Sequence, residues 1–173
     1  MKQVHVRRHA PKHSTGSLTE EGKKLAQELR KKLRKYNLVI SSEKPRAIET
    51  AKLLTGSKPT IDNRAGTPPF SSEQEKKLHE LGQNHQYGIA GVILDNQEFR
   101  ALVIPKGESL VELIKETINK LPENGSALII SHDGVMVIAE TILKNKSLDK
   151  AKKTFKPLRG FTVYEKGEIA DLD

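Results

Sequence analysis

The chain opens on a short alternation, Gln3-Val4-His5-Val6-Arg7, with apolar residues on every second position as in a half-buried strand. Pro11 and Gly16 then mark a loop. From Thr19 to Tyr36 the period changes. Leu25, Leu29 and Leu33 recur every four residues, and Lys23, Lys24, Arg30, Lys31, Arg34 and Lys35 fall between them, the pattern of a helix with one solvated face. Leu38-Val39-Ile40 is apolar without alternation, which suits a strand buried on both sides. Ser42 and Pro45 supply a hydroxyl cap and a first-turn proline for a second helix.

Past Gly56 the periodicity fades. Lys58 to Ile61 reads as a strand, Ser72-Glu73-Gln74-Glu75 has capping-box spacing, and Gly82 to Lys106 reads as loops bordering a site. A helical stripe resumes from Glu108, through Leu110, Leu113, Ile114, Ile118 and Leu121, and stops at Pro122 and Gly125. Ala127 to Ile130 forms a buried strand that runs into Ser131-His132-Asp133-Gly134, and Val135, Ile138, Ala139, Ile142 and Leu143 then mark another helical face. Phe161 to Tyr164 and Glu168 to Leu172, divided by Lys166-Gly167, read as a closing hairpin. Strands alternating with helices predict an α/β fold: three layers, a mostly parallel sheet with helices on both faces. With no repeat and no linker, residues 1–173 are expected to form a single domain.

Composition narrows the class. With no cysteine, a disulfide scaffold and a thiolate zinc site are excluded. No window approaches a membrane span and the start has no apolar h-region, so a soluble, cytoplasmic protein is expected. The formal net charge of +8 raises a nucleic-acid partner as a rival. Aromatic residues are few and no glycine-aromatic stacking motif is present, so specific nucleic-acid binding is disfavoured.

Ligands of open α/β sheets bind beyond the carboxyl ends of the strands. Three polar clusters stand there: Arg7-Arg8-His9-Ala10, Ser41 to Arg46, and Ser131-His132-Asp133. Guanidinium forks match phosphoryl oxygens, and an imidazole can attack phosphorus or donate to its oxygens. Arg7, one step out of phase with Arg8 on an alternating strand, is read as surface. Lys12, His13 and Ser14 follow His9 in the loop, either touching substrate or simply exposed. His5, His9 and His13 have helical metal-site spacing, but the alternation and Pro11 argue against a helix there. His79 and His85 lack ligand partners and read as surface or packing residues.

In this order the clusters resemble the histidine phosphatase (phosphoglycerate mutase-like) superfamily. Arg8-His9-Ala10 is similar to its RHG-type signature, and Leu18 to Gly22 to its LTxxG helix start. Ser41 to Ala51 resembles its S-x-x-x-R-A-x-x-T-A element, Gly107-Glu108-Ser109 its GES helix start, and Ser131 to Gly134 its second-histidine motif. The resemblance implies a phosphoglycerate mutase-like fold and a catalytic set of His9, Arg8, Arg46, His132 and Asp133. His9 would become a transient phosphohistidine, and Arg8, Arg46 and His132 would bind the phosphoryl group. No cofactor and no metal is implied. The substrate would be a phosphorylated small molecule or a phosphoprotein. The family's acid, a Glu after the third strand, is missing where Thr67 stands, which leaves Asp133, Glu73, Glu80 or no group to protonate the leaving oxygen. Within the family the alternatives are a phosphoglycerate mutase-type transferase and a catalytically impaired relative that binds phosphorylated ligands.

Overall fold

The computed structural model describes residues 1–173. The opening alternation forms β1 (Gln3–Arg8), followed by α1 (Glu20–Arg30), β2 (Leu38–Ser41) and α2 (Pro45–Thr55). A two-residue strand, β3 (Thr60–Ile61), leads to three helices: α3 (Ser72–Asn84), α4 (Gly88–Asp95) and α5 (Gln97–Lys120). Then come β4 (Ser126–Ser131), α6 (Asp133–Leu143) and the hairpin β5 (Gly160–Tyr164) and β6 (Ile169–Leu172). The six strands lie in the order β3-β2-β4-β1-β5-β6. β1 to β4 pair in parallel, whereas β5 and β6 run antiparallel along one edge.

β4 shows why the sheet is a middle layer. Ala127 and Ile129 join the larger core with α4, α5 and α6, whereas Leu128 and Ile130 face the other way, against Ala26, Ala47, Ala51 and Leu54 of α1 and α2. Alternate residues thus feed two cores, and each large aliphatic chain contributes roughly 1.5–3 kcal/mol on burial. This is the three-layer α/β arrangement expected from the sequence.

Several local expectations need correction. The first helix ends at Arg30 instead of Tyr36. The chain must leave it because the Tyr36 hydroxyl bonds His5 Nδ1 at 2.8 Å and the Asn37 side chain accepts from Ser126 N–H at 2.9 Å. Leu25, expected on the apolar face, is exposed, and α1 packs through Gly22 and Ala26 instead. The capping box sits one residue earlier, between Ser71 and Gln74. Gly82 to Lys106 is mainly helical. α4 is buried at five consecutive positions, Ala90 to Leu94, so it has no polar face to give it a period. α5 begins at Gln97, capped by Asn96, and carries Pro105 in its interior, so Gly107-Glu108-Ser109 lies within the helix. The third strand is shorter than Lys58 to Ile61. Arg7 is buried at 2% exposure, where its guanidinium donates to the carbonyls of Leu158 and Asp173.

Candidate active site

The register of the parallel strands brings the three clusters together. β4 lies between β1 and β2, with Arg8 opposite Ser131 and Ser41 opposite Ile130. Beyond the strands the chains stay paired: His9 N–H donates to the Ser131 carbonyl at 3.2 Å, and Ser42 N–H to the Ile130 carbonyl at 3.2 Å. α2 and α6 then begin at this rim, at Pro45 and Asp133. Their N-terminal ends carry the positive pole of the backbone dipoles, which favours an anion there.

Arg8, His9, Arg46, His132 and Asp133 all line one cavity of about 280 Å³. The His9 and His132 rings lie 5.3 Å apart, centre to centre. His9 Nδ1 is 2.8 Å from the Ala10 carbonyl, which can only accept, so this nitrogen carries the proton. The lone pair is therefore on Nε2, where Arg46 Nε donates to it at 3.2 Å. Arg46 is seated in turn by Thr50, whose hydroxyl donates to the Arg46 carbonyl at 2.7 Å and accepts from Ala10 N–H at 3.0 Å. A second arm of Arg46 lies 3.3 Å from His132 Nδ1. A guanidinium only donates, so His132 carries its proton on Nε2 and gives it to the Ser42 hydroxyl at 2.8 Å. Ser42 also accepts from Lys44 N–H at 3.4 Å.

Electrostatics holds both imidazoles neutral. Burial, reinforced by Arg46, Arg8 and Lys12, pushes the His9 pKa down to about 3 against the lift from the Ala10 carbonyl. His132 is held well below the ordinary range by burial and then by His9 and Arg46. Asp133 moves the other way, because burial raises its pKa against the pull of Arg8, Thr154 and Phe155. Its Oδ1 accepts from Phe155 N–H and its Oδ2 from the Thr154 hydroxyl, both at 2.6 Å.

The other sequence candidates divide. Lys12, Ser14, Thr67 and His79 line the cavity. His13 is exposed outside it, and His85 is engaged with Asp95 at 2.9 Å. Glu73 and Glu80 are exposed on α3 and do not line it, whereas Glu75, two residues on from Glu73, does. Glu75 lies close enough to Arg46 and Lys12 to oppose the lowering of their pKa values. The sequence places Ser42 as a cap for α2, but that helix has no side-chain cap and the hydroxyl serves His132. The position of Ser42, directly after a buried strand, was the available signal. Thr154 and Phe155 had none, since only the tertiary fold brings them to Asp133.

Such a cavity offers an unprotonated ring nitrogen beside two guanidinium groups and a second imidazole, a set suited to receiving a phosphoryl group. The family model for the histidine phosphatase superfamily (branch 1) matches residues 5–165. Among solved structures, a putative α-ribazole-5′-P phosphatase from Escherichia coli superposes with a TM-score of 0.74 at 18% identity, over 99% of this chain and 96% of that one. Mycobacterial glucosyl-3-phosphoglycerate phosphatase, in a complex with VO3, gives 0.71 at 15% identity, over 99% and 97%. Phosphoserine phosphatase from Entamoeba histolytica, in complex with 3-phosphoglyceric acid, gives 0.70 at 16% identity, over 100% and 96%. Among curated proteins, none matches this sequence. At these identities the structures establish a shared fold, the phosphoglycerate mutase-like one. The match across residues 5–165 establishes the family: this chain belongs to branch 1 of the histidine phosphatase superfamily.

Proposed function

We propose that the chain is a single-domain phosphatase that cleaves a phosphate monoester or phosphohistidine through a covalent intermediate on His9. The observation that carries this reading is the tautomer. The Ala10 carbonyl holds the proton on Nδ1, and the low pKa keeps Nε2 unprotonated inside the cavity. In the first step Nε2 forms a bond to phosphorus as the bond to the leaving atom breaks, and that atom takes up a proton from water. In the second step water attacks phosphorus, the P–N bond breaks, and phosphate leaves with the neutral imidazole restored.

Arg46 has the geometry to serve both steps, because it touches His9 and His132 together and so sits beside the bond being exchanged. Arg8 and His132 complete the donor set for the charge that develops on the phosphoryl oxygens. A strong preorganised donor in a water-poor site supplies roughly 3–4 kcal/mol of transition-state stabilisation. In this reading the fixed cations carry the charge that a divalent ion supplies in many phosphoryl transfers, so no metal enters the scheme. Asp133 is the one carboxyl of the three sequence candidates for the acid that lines the cavity.

The test is His9→Ala, assayed with a chromogenic phosphate monoester and with a phosphohistidine-bearing substrate. Loss of turnover on both is expected, and undiminished turnover overturns the reading. Product analysis with 3-phosphoglycerate separates hydrolysis from mutase chemistry: release of inorganic phosphate is expected, and 2-phosphoglycerate marks a mutase.

A further inference from the structure

Phosphoryl recognition asks more of Arg8 than its charge. A guanidinium reads two oxygens at once only when its plane is held, and Arg8 is the last residue of a strand. The segment between α6 and β5 holds it. Arg8 N–H donates to the Arg159 carbonyl at 2.9 Å, and the Arg8 carbonyl accepts from Leu158 N–H at 3.1 Å. At the other end of the side chain, Nη1 donates to the Phe155 carbonyl at 2.6 Å and lies 3.5 Å from Asp133 Oδ2. Nε is buried without an acceptor. Nε and Nη2 share one edge of the guanidinium, so a grip on Nη1 leaves uncommitted the edge that pairs with two phosphoryl oxygens.

Asp133 ties this grip together. One oxygen accepts Phe155 N–H and the other the Thr154 hydroxyl, so the stretch that presents the Phe155 carbonyl to Arg8 is itself fastened to the start of α6. Lys153 secures the same stretch from outside, bonding the buried Glu140 at 2.9 Å and Asp171 at 3.1 Å, with its ammonium 4.4 Å from the Phe155 ring centre. A proton donor to a leaving group must turn a protonated oxygen toward it. Both oxygens of Asp133 are instead turned to donors of the protein.

We propose that Asp133, Thr154 and the Phe155 backbone form a clamp that aims Arg8 at the phosphoryl group, with Asp133 a positioning residue and not the proton donor. The inference rests on the phosphoryl-transfer reading of the cavity. It is tested on the full chain with Thr154→Val, Thr154→Ser and Asp133→Asn. Inorganic phosphate binding is measured by calorimetry, and kcat/KM with 4-nitrophenyl phosphate and with ethyl phosphate. Thr154→Val is expected to weaken phosphate binding and kcat/KM by about tenfold, because a small displacement of an aligned group is costly. Thr154→Ser, which keeps the hydroxyl, is expected to restore both.

For Asp133→Asn the expected loss is the same factor on both esters. A loss confined to ethyl phosphate, whose leaving group needs the proton, identifies an acid and overturns the clamp. Wild-type phosphate binding by a folded Thr154→Val, checked by circular dichroism, overturns it as well. Calorimetry needs no turnover, so the two readings fail separately. If neither ester is hydrolysed but Thr154→Val still weakens phosphate binding, the phosphatase reading falls and the clamp stands.

Discussion

Lowering the pH from 6.0 to 5.0 should cost this protein more stability than a domain of its size ordinarily loses there. Three histidines are buried and neutral: His5, held down to about 4, His9, held down to about 3, and His132, held well below the usual range, in each case chiefly by burial. In the unfolded chain each returns to a pKa of about 6.5. Below that value the unfolded state binds protons that the folded state does not, so folding stability falls as the pH falls. The loss continues until the folded pKa values are reached. Each group contributes at most about 1.4 kcal/mol per pH unit in this window, and three of them at most about 4 kcal/mol. Native domains hold a reserve of about 5–15 kcal/mol, so a loss of this size removes most of the margin of a domain at the lower end of that range. Asp133, raised by burial, works in the opposite sense, as one group against three. Urea unfolding followed by circular dichroism at several pH values measures the slope. His5→Gln provides the internal check. His5 bonds Tyr36 and Gln3 and does not line the cavity, so removing its titration should cut the slope by about a third without touching the site. A free energy that changes by less than about 1 kcal/mol over that pH unit refutes the reasoning.

Arg46→Lys should lower kcat by about 10²–10³-fold, because a lysine cannot reach His9 and His132 together; a drop of less than tenfold in steady-state turnover contradicts that placement. Ser42→Ala leaves the buried His132 N–H without its acceptor, at about 1–3 kcal/mol, and kcat/KM should fall about 5- to 150-fold; an unchanged value shows that His132 is oriented by something else. Gly107→Ala places a methyl against Ile138 where α5 crosses α6, and the urea midpoint should report a loss of about 1–3 kcal/mol with activity per folded molecule retained. A midpoint equal to wild type means that α5 and α6 pack less tightly than described.

Much of this architecture is legible in the sequence, for a physical reason. β1, β2 and β4 are strands whose ends coincide with abrupt changes from apolar to polar residues, so Arg8-His9, Ser41-Ser42 and Ser131-His132 stand out at the positions where parallel sheets bind ligands. What hid was set by tertiary packing. α4 is buried at successive positions and shows no period, and α5 continues through a proline that ordinarily signals a break. Arg7 looked exposed because alternation tells which face a residue takes, not whether another segment covers that face. Ser42 reads as a helix cap from its neighbours and becomes a histidine partner only when β4 lies alongside β2. Thr154 is 21 residues from Asp133 in a stretch of lysines, and its local sequence does not mark it. Glu75 differs from Glu73 in the direction it leaves α3, which depends on where that helix begins.

Phosphoryl transfer through His9 is tested most directly by trapping the intermediate. The enzyme is mixed with a labelled phosphate monoester and quenched rapidly in alkali, where phosphohistidine survives, and the intact chain and its peptides are then weighed. One phosphoryl group per chain is expected, located on His9, lost on acid treatment and missing from His9→Ala. Full turnover with an unlabelled wild-type chain, or equal labelling of His9→Ala, contradicts it.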